Sequence, residues 1–172
     1  MLKRFIQKII MWDLLLSNWM NKHQNKSVRK ISQIITCLGS GYFWVPIYAI
    51  MFILGTTKFR TIIVSIVLAE LLGLLAIIVL RSLVKRERPI ANIIFLLPLP
   101  WQSNSFPSHH ALRVSMLATT FGIVYPSSLP VLIFCAIIVS ISRVYLEMHY
   151  AFDVLVGSFI GFLCAWLVLL NF

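Results

Sequence analysis

Acidic residues are scarce in this chain of 172 residues. Five Asp and Glu side chains stand against 15 Lys and Arg, which gives a formal net charge of +10. A basic balance of this size is often a sign of nucleic-acid binding, but here the basic residues lie between long apolar segments. They suit anionic lipid head groups or a phosphate-bearing substrate better, so we expect no nucleic-acid partner.

Cysteine is rare as well. Cys37, Cys135 and Cys164 each lie in an apolar run, and no CxxC pair is present. Three cysteines at these spacings give neither a disulfide framework nor a zinc motif. Since clustered carboxylates are also missing, we predict no metal site and no cofactor, and we expect the cysteines to be small buried hydrophobic residues.

Long polar segments are missing, and hydrophobic residues make up 60% of the chain. Soluble domains average roughly 45–50% apolar residues. Several runs reach the roughly 18–20 residues that a helix needs to cross the hydrocarbon core of a bilayer. The sequence therefore predicts an all-α polytopic membrane helix bundle, built as a single domain over residues 1–172.

About five transmembrane helices are expected within residues 28–172. They cover roughly Ile31–Leu54, Thr61–Leu80, Ser108 to just before Tyr125, Leu129–Val144, and His149 to the C-terminus. A proline-rich loop, Asn92–Pro107, is expected at the membrane interface. Residues 1–27 lack the cleavage site of a signal peptide. Their apolar residues recur at helical spacing, with Trp12 and Trp19 suited to head-group depth, which predicts an interfacial amphipathic helix.

Unusual polar residues collect at one membrane face. Counting crossings places the ends of the second and fourth spans on the same side as the starts of the third and fifth. Three sequence blocks meet there: RSLVKRERP at 81–89, FPSHHA at 106–111 and SRVYLEMHYAFD at 142–153. Because an unpaired charge in a membrane is costly, each block needs a structural partner or a ligand.

His149 and Asp153 are four residues apart and share a helix face. A carboxylate that accepts the proton of one imidazole nitrogen leaves the other nitrogen free as a nucleophile. Ser108 suits a helix N-cap whose free N–H groups bind an anion, and His110 could protonate a leaving oxygen. Taken singly, these patterns also fit a structural hydrogen bond and ordinary helix capping.

Arginines complete the predicted site. Arg81 and Arg88 lie two helical turns apart, and guanidinium groups bind phosphate oxygens in a bidentate fork. The alternative is a basic flank at the membrane edge, the role expected of Lys85 and Arg86. Jointly, the three blocks indicate metal-independent phosphoryl transfer, in which a histidine attacks phosphorus and fixed cations stabilise the equatorial oxygens.

The three blocks resemble those of the type 2 phosphatidic acid phosphatase superfamily, which includes bacterial acid phosphatases and vanadium haloperoxidases. The family pattern is K-x6-RP, then PSGH, then SR-x5-H-x3-D. The third block matches in full, whereas Arg81 replaces the lysine and His109 replaces the glycine. Glu147 stands where a small residue is common, and we expect it to pair with Lys85 or Arg86.

The resemblance implies a role for each matching position. His149 would be the nucleophile, Asp153 its orienting partner and His110 the general acid. The remaining residues would hold the phosphate: Arg81, Arg88, Ser108 and Arg143, with His109 added as a candidate.

Two further residues are candidates for substrate contacts. Glu70 lies near the middle of the second span, where a carboxylate is a functional candidate by default; a protonated or hydrogen-bonded packing residue is the alternative. Arg113 follows His110 by three residues and could touch a second anionic group of the substrate or extend to the interface.

The expected activity is release of phosphate from a lipid phosphomonoester or pyrophosphate. The resemblance implies phosphatidylglycerol phosphate, undecaprenyl pyrophosphate, phosphatidic acid or lipid A 1-phosphate as substrates, and a bacterial inner membrane as location. A non-catalytic lipid-binding or scramblase-like protein is the alternative, and the oligomeric state is left open. Positive charge places the site on the cytoplasmic side, whereas the resemblance implies the periplasmic face, which we adopt.

Overall fold

The computed structural model describes residues 2–89 and 103–171. Within these ranges the chain forms seven α-helices and two short 3-10 turns, and no β-strand. The predicted all-α membrane bundle is therefore confirmed. In chain order the helices are α1 (Leu2–Lys22), α2 (Lys26–Thr36), α3 (Gly41–Leu54), α4 (Thr57–Val84), α5 (His109–Val124), α6 (Leu129–Tyr145) and α7 (Ala151–Leu169).

Helix α1 exposes large apolar side chains, including Trp12 and Trp19. A turn separates it from α2, whose first N–H groups are capped by the side chain of Asn25, as is usual for an N-cap. The side chains of residues 2, 3, 5 and 6, which carry part of the predicted amphipathic pattern, lie outside the described part of the chain. The interfacial position of α1 stays a prediction.

The first predicted span is broken rather than continuous. Helices α2 and α3 are separated by a 3-10 turn, Cys37–Gly39, and meet at a bend of 42°. The side chain of Ser40 caps the second helix by accepting the N–H of Tyr42. The sequence Gly39-Ser40-Gly41 favours such a break because serine caps helices well and glycine weakens them.

Three described helical segments are long and apolar enough to span a bilayer: α4, α6 with the turn before it, and α7. The bent pair α2–α3 raises this number to four. About five spans were predicted, and the difference is α5, which does not count by this criterion because it has 16 residues, fewer than the ~20 of a typical span. Of the predicted proline-rich loop, Asn92–Pro107, residues 92–102 lie outside the described part of the chain.

Cysteine burial differs from the expectation at two of three positions. Cys164 is buried in the core formed with Ile66 and Met116, as predicted. Cys37 and Cys135 are exposed, so the prediction was wrong for them. The reason is that an apolar run in a membrane helix also covers lipid-facing positions, which are apolar without being packed.

Helices α5 and α7 cross in close contact because two glycines lie at their interface. A Cβ atom at Gly157 would come within 2.3 Å of the Ser108 carbonyl oxygen, and one at Gly161 within 2.0 Å of the Leu112 carbonyl oxygen. Small residues spaced four apart allow such close approach of membrane helices. The start of α5 is thereby held against the first three turns of α7.

The ends of α4 and α6 and the starts of α5 and α7 meet at one end of the bundle. Hydrogen bonds join these segments directly. The N–H of Ser108 donates to the carbonyl of Asp153 at 3.0 Å, Arg81 donates to the carbonyl of Pro107 at 2.9 Å, and Arg88 donates to the carbonyl of Met148 at 2.8 Å. The sequence blocks that we expected to converge therefore do so.

Candidate active site

His149 lies in the turn between α6 and α7, and its side chain is 1% exposed. Its Nδ1 is 2.7 Å from the carbonyl oxygen of Ser105, and its Nε2 is 3.3 Å from Nη1 of Arg88. A carbonyl only accepts a hydrogen bond and a guanidinium only donates. The two contacts therefore assign the proton to Nδ1 and leave a lone pair on Nε2.

Asp153 lies near His149 but accepts no hydrogen bond from it, so the orienting role expected from the sequence stays a prediction. The distance from Nδ1 of His149 to the carboxylate is 3.9 Å, too long for a hydrogen bond. The carboxylate accepts instead from the backbone N–H of Tyr150 at 2.9 Å and from Arg86 at 2.7 Å. This occurs because Asp153 lies in the first turn of α7, where backbone N–H groups have no partner within the helix.

The surroundings of His149 keep its ring neutral. Burial, followed by the positive charges of Arg143 and Arg88, holds the pKa of His149 well below its usual value of 6.5. Burial also lowers the pKa of Arg88, to about 10, which leaves its guanidinium protonated at neutral pH. A neutral imidazole next to cations is the state that a histidine nucleophile requires.

Arg81, Arg88 and Arg143 all act on His149 by their charge. Arg81 and Arg143 are each about 5% exposed or less. Arg143 donates to the Thr36 hydroxyl at 2.9 Å, while its Nε has no hydrogen-bond partner among the described residues. Three guanidinium groups around one imidazole form a strong site for a phosphate anion.

Ser108 precedes α5 and is fully buried. It occupies the predicted N-cap position, but its hydroxyl does not cap the helix and has no partner among the described residues. His110 lies in the first turn of α5 and is close enough to His149 to lower the pKa of that residue. The hydroxyl and the start of the helix thus adjoin the arginine cluster, where an anion would be stabilised.

Glu70, His109 and Arg113 form a second cluster. Arg113 donates through Nε to Glu70 at 3.0 Å, contacts the same carboxylate through Nη2, and donates through Nη1 to the carbonyl of Gly39 at 2.6 Å. Nε2 of His109 lies 2.9 Å from Glu70. The intramembrane carboxylate thus has a cationic partner, and Arg113 connects α4 with the break between α2 and α3.

Arg86 has a different environment from the one expected of a basic flank. Its guanidinium bridges two carboxylates, at 2.7 Å from Asp13 and 2.7 Å from Asp153. Glu147 forms no ion pair with Arg86 or with any other described residue, and it lies just after α6 in a left-handed conformation (φ 56°). Sequence reasoning missed this bridge because Asp13 lies more than 70 residues away in a helix with no recognised motif.

Potential metal ligands are dispersed. Among the described residues, no group of three or more His, Cys, Asp or Glu side chains could hold a metal ion.

Comparison with known proteins identifies the family of the chain. A model of the PAP2 superfamily matches residues 58–172. The chain belongs to the PAP2 superfamily. The resemblance drawn from the three blocks is confirmed, and the chain is a phosphatase of this family with several apolar helices typical of its multi-pass membrane members. Helices α1–α3 precede the matched region.

Relatives of the chain include both sequences and solved structures. An undecaprenyl-diphosphatase of Sulfolobus acidocaldarius is 31% identical over 154 residues, 88% of this chain and 72% of that protein. The structure of Aquifex aeolicus LpxE is 26% identical with a TM-score of 0.74, covering 91% of this chain and 93% of its own. That of a PAP2-type phosphatidylglycerolphosphate phosphatase from Bacillus subtilis is 25% identical with a TM-score of 0.75, covering 95% and 86%.

Proposed function

We propose that this chain releases inorganic phosphate from a phosphorylated membrane lipid through a phosphohistidine at His149. The observation that carries the proposal is the orientation of the ring, with the Nδ1 proton donated to Ser105 and the Nε2 lone pair next to Arg88. The substrate is a lipid phosphomonoester or pyrophosphate, with lipid A 1-phosphate, phosphatidylglycerol phosphate, undecaprenyl pyrophosphate and phosphatidic acid as candidates.

The reaction proceeds in two steps. In the first, Nε2 of His149 forms a bond to phosphorus while the bond between phosphorus and the leaving oxygen of the lipid breaks. His110, which must be in its imidazolium form for this step, donates its extra proton to that oxygen and becomes neutral. The ring of His149 becomes positively charged, and the Ser105 carbonyl stabilises the charge on Nδ1–H. In the second, water attacks phosphorus, His110 takes a proton from it, and phosphate leaves with Nε2 restored.

The binding of the phosphoryl group is assigned to three guanidinium groups and one hydroxyl. Arg81, Arg88 and Arg143 neutralise its oxygens. The hydroxyl of Ser108, which has no partner in the described part of the chain, supplies a further hydrogen bond. Fixed donors of this kind each contribute roughly 10²–10³-fold to the rate of a reaction that develops charge on oxygen. Glu70, His109 and Arg113 form the neighbouring cluster, in which Glu70 balances the charge of Arg113.

The experiment is a substrate panel with purified protein in detergent. Wild-type protein and His149→Ala are incubated with the four candidate lipids, with and without a chelator, and released phosphate is measured. We expect release from at least one lipid, unaffected by chelator and lost in the variant, with acid-labile phosphate on the wild-type protein after rapid quenching. Phosphate release retained by His149→Ala contradicts the mechanism, and lipid binding without release favours the non-catalytic alternative.

We propose a bacterial inner membrane as location, with the site on the extracytoplasmic face. Positive-inside counting favours the opposite face, but Arg81, Arg88 and Arg143 are assigned to phosphate and carry less weight as topology signals.

A further inference from the structure

Asp13 is a buried carboxylate on a helix that is otherwise largely exposed. It is 5% exposed, while its neighbours Trp12 and Leu14 are 67% and 46% exposed. One carboxylate oxygen lies 2.7 Å from Nη2 of Arg86, and the other accepts the backbone N–H of Phe152 at 3.1 Å. Asp13 therefore joins α1 both to the segment after α4 and to the first turn of α7.

Arg86 connects this contact to the candidate nucleophile by two routes. Its side chain binds Asp153 at 2.7 Å and lies 4.0 Å above the ring of Tyr150, the residue that follows His149. Its backbone carbonyl accepts the N–H of Ser105 at 2.7 Å. The carbonyl of Ser105 is in turn the acceptor of the Nδ1 proton of His149.

We propose that Asp13 and Arg86 are positioning residues for His149, and that α1 contributes to the active site through Asp13. The inference rests on the proposed function. Asp13 holds the Arg86 guanidinium in the geometry that bridges both carboxylates, and Arg86 then sets the place of the Ser105 carbonyl and the turn that carries His149. The contacts involve a helix outside the family match, which begins at residue 58.

The test compares Asp13→Asn and Arg86→Lys with wild type on the lipid that gives the highest turnover. Asparagine retains an oxygen for the N–H of Phe152 but loses the charge that holds Arg86. Lysine retains one positive charge but cannot bridge two carboxylates with a planar fork. We expect kcat to fall on the order of tenfold to a hundredfold in each variant, with KM within about twofold, because the phosphate-binding groups are unchanged.

Two controls separate positioning from general stability. Lys85→Met removes an exposed positive charge next to Arg86 and is expected to keep the wild-type kcat. The unfolding temperature in detergent is recorded for every variant, and ¹⁵N NMR of histidine reports the His149 tautomer. We expect the signal of protonated Nδ1 in the wild type and a mixture of tautomers in Asp13→Asn.

Several outcomes overturn the inference. An Asp13→Asn protein that folds and keeps both the wild-type kcat and the His149 tautomer contradicts it. If Asp13→Asn does not fold, Arg86→Lys carries the test, and a wild-type kcat in that variant is the contradicting result. A wild type that releases no phosphate from any lipid refutes the proposed function instead, and the tautomer comparison still decides whether Asp13 positions His149.

Discussion

At the scale of single residues, His149 shows what a motif can and cannot predict. The spacing SR-x5-H-x3-D identified the residue, but its hydrogen-bond acceptor is a backbone carbonyl 44 residues away. Every residue has a backbone carbonyl, so the sequence alone does not indicate which carbonyl accepts the proton of His149. Asp153, the partner predicted from the sequence, accepts hydrogen bonds from the backbone N–H of Tyr150 at the start of α7 and from Arg86 instead.

Arg86 and Arg81 make a similar contrast. Both belong to one basic stretch, and local pattern assigned Arg86 to the membrane flank and Arg81 to phosphate. Arg86 is instead held by two carboxylates from distant helices. Pairing across helices depends on packing, which one sequence without its fold does not specify.

The depressed pKa of His149 predicts how stability depends on pH. The imidazole of His149 binds a proton less readily in the folded protein than in the unfolded chain. The contribution of the neutral ring to the free energy of unfolding is therefore fully present above pH 6.5 and is lost as pH falls below that value. The loss is about 1.4 kcal/mol per pH unit between the unfolded and folded pKa values. Thermal unfolding in detergent from pH 7.5 to 5 should therefore show a steeper decline for wild type than for His149→Asn. Equal slopes would contradict the prediction.

At the scale of helices, the contact between α5 and α7 determines the distance between Ser108 and the first turn of α7. Apolar runs predicted both helices, and the glycines at 157 and 161 were visible in the sequence. Their use was not predictable, because glycine spacing alone does not reveal which backbone it approaches. Here it is the backbone of Ser108 and Leu112.

Gly157→Ala is expected to impair catalysis more than folding. The added Cβ would meet the Ser108 carbonyl at 2.3 Å, so α7 and the Ser108 segment must separate by about 1 Å, a shift that can cost on the order of 10²-fold in rate. Steady-state kinetics and unfolding temperature measure the two effects. Gly122→Ala is the matched control, since its Cβ meets the movable end of the Leu129 side chain. A wild-type kcat in Gly157→Ala would show that the contact does not position the site.

For the molecule as a whole, the family match covers residues 58–172, whereas the interactions of the site extend to α1 and α2. The three motif blocks were therefore sufficient to predict the phosphatase family and their own meeting at one end of the bundle. They were not sufficient to predict the contribution of the first 40 residues. Thr36, Gly39 and Asp13 act through tertiary contacts with no local signature.

Sidedness can be measured with two cysteines at opposite ends of α4. Lys58 and Lys85 are both exposed, and a 28-residue helix places them about 40 Å apart. In a variant without native cysteines, we expect Lys85→Cys to react with an impermeant thiol reagent in intact cells and Lys58→Cys to react only after lysis. The reverse pattern would place the site in the cytoplasm, as positive-inside counting suggests.

The bend between α2 and α3 has a consequence for how the chain can cross the membrane. The carbonyl of Gly39 in this turn accepts a hydrogen bond from Arg113, and the hydroxyl of Thr36, the last residue of α2, accepts one from Arg143. In one continuous straight helix, the Gly39 carbonyl would accept a hydrogen bond from its own helix. Arg113 would then lose this acceptor for one of its N–H groups, and within a membrane no water would replace it. A redesign that made α2 and α3 one straight helix would therefore remove these contacts of Arg113 and Arg143, and we expect it to lower the phosphatase activity.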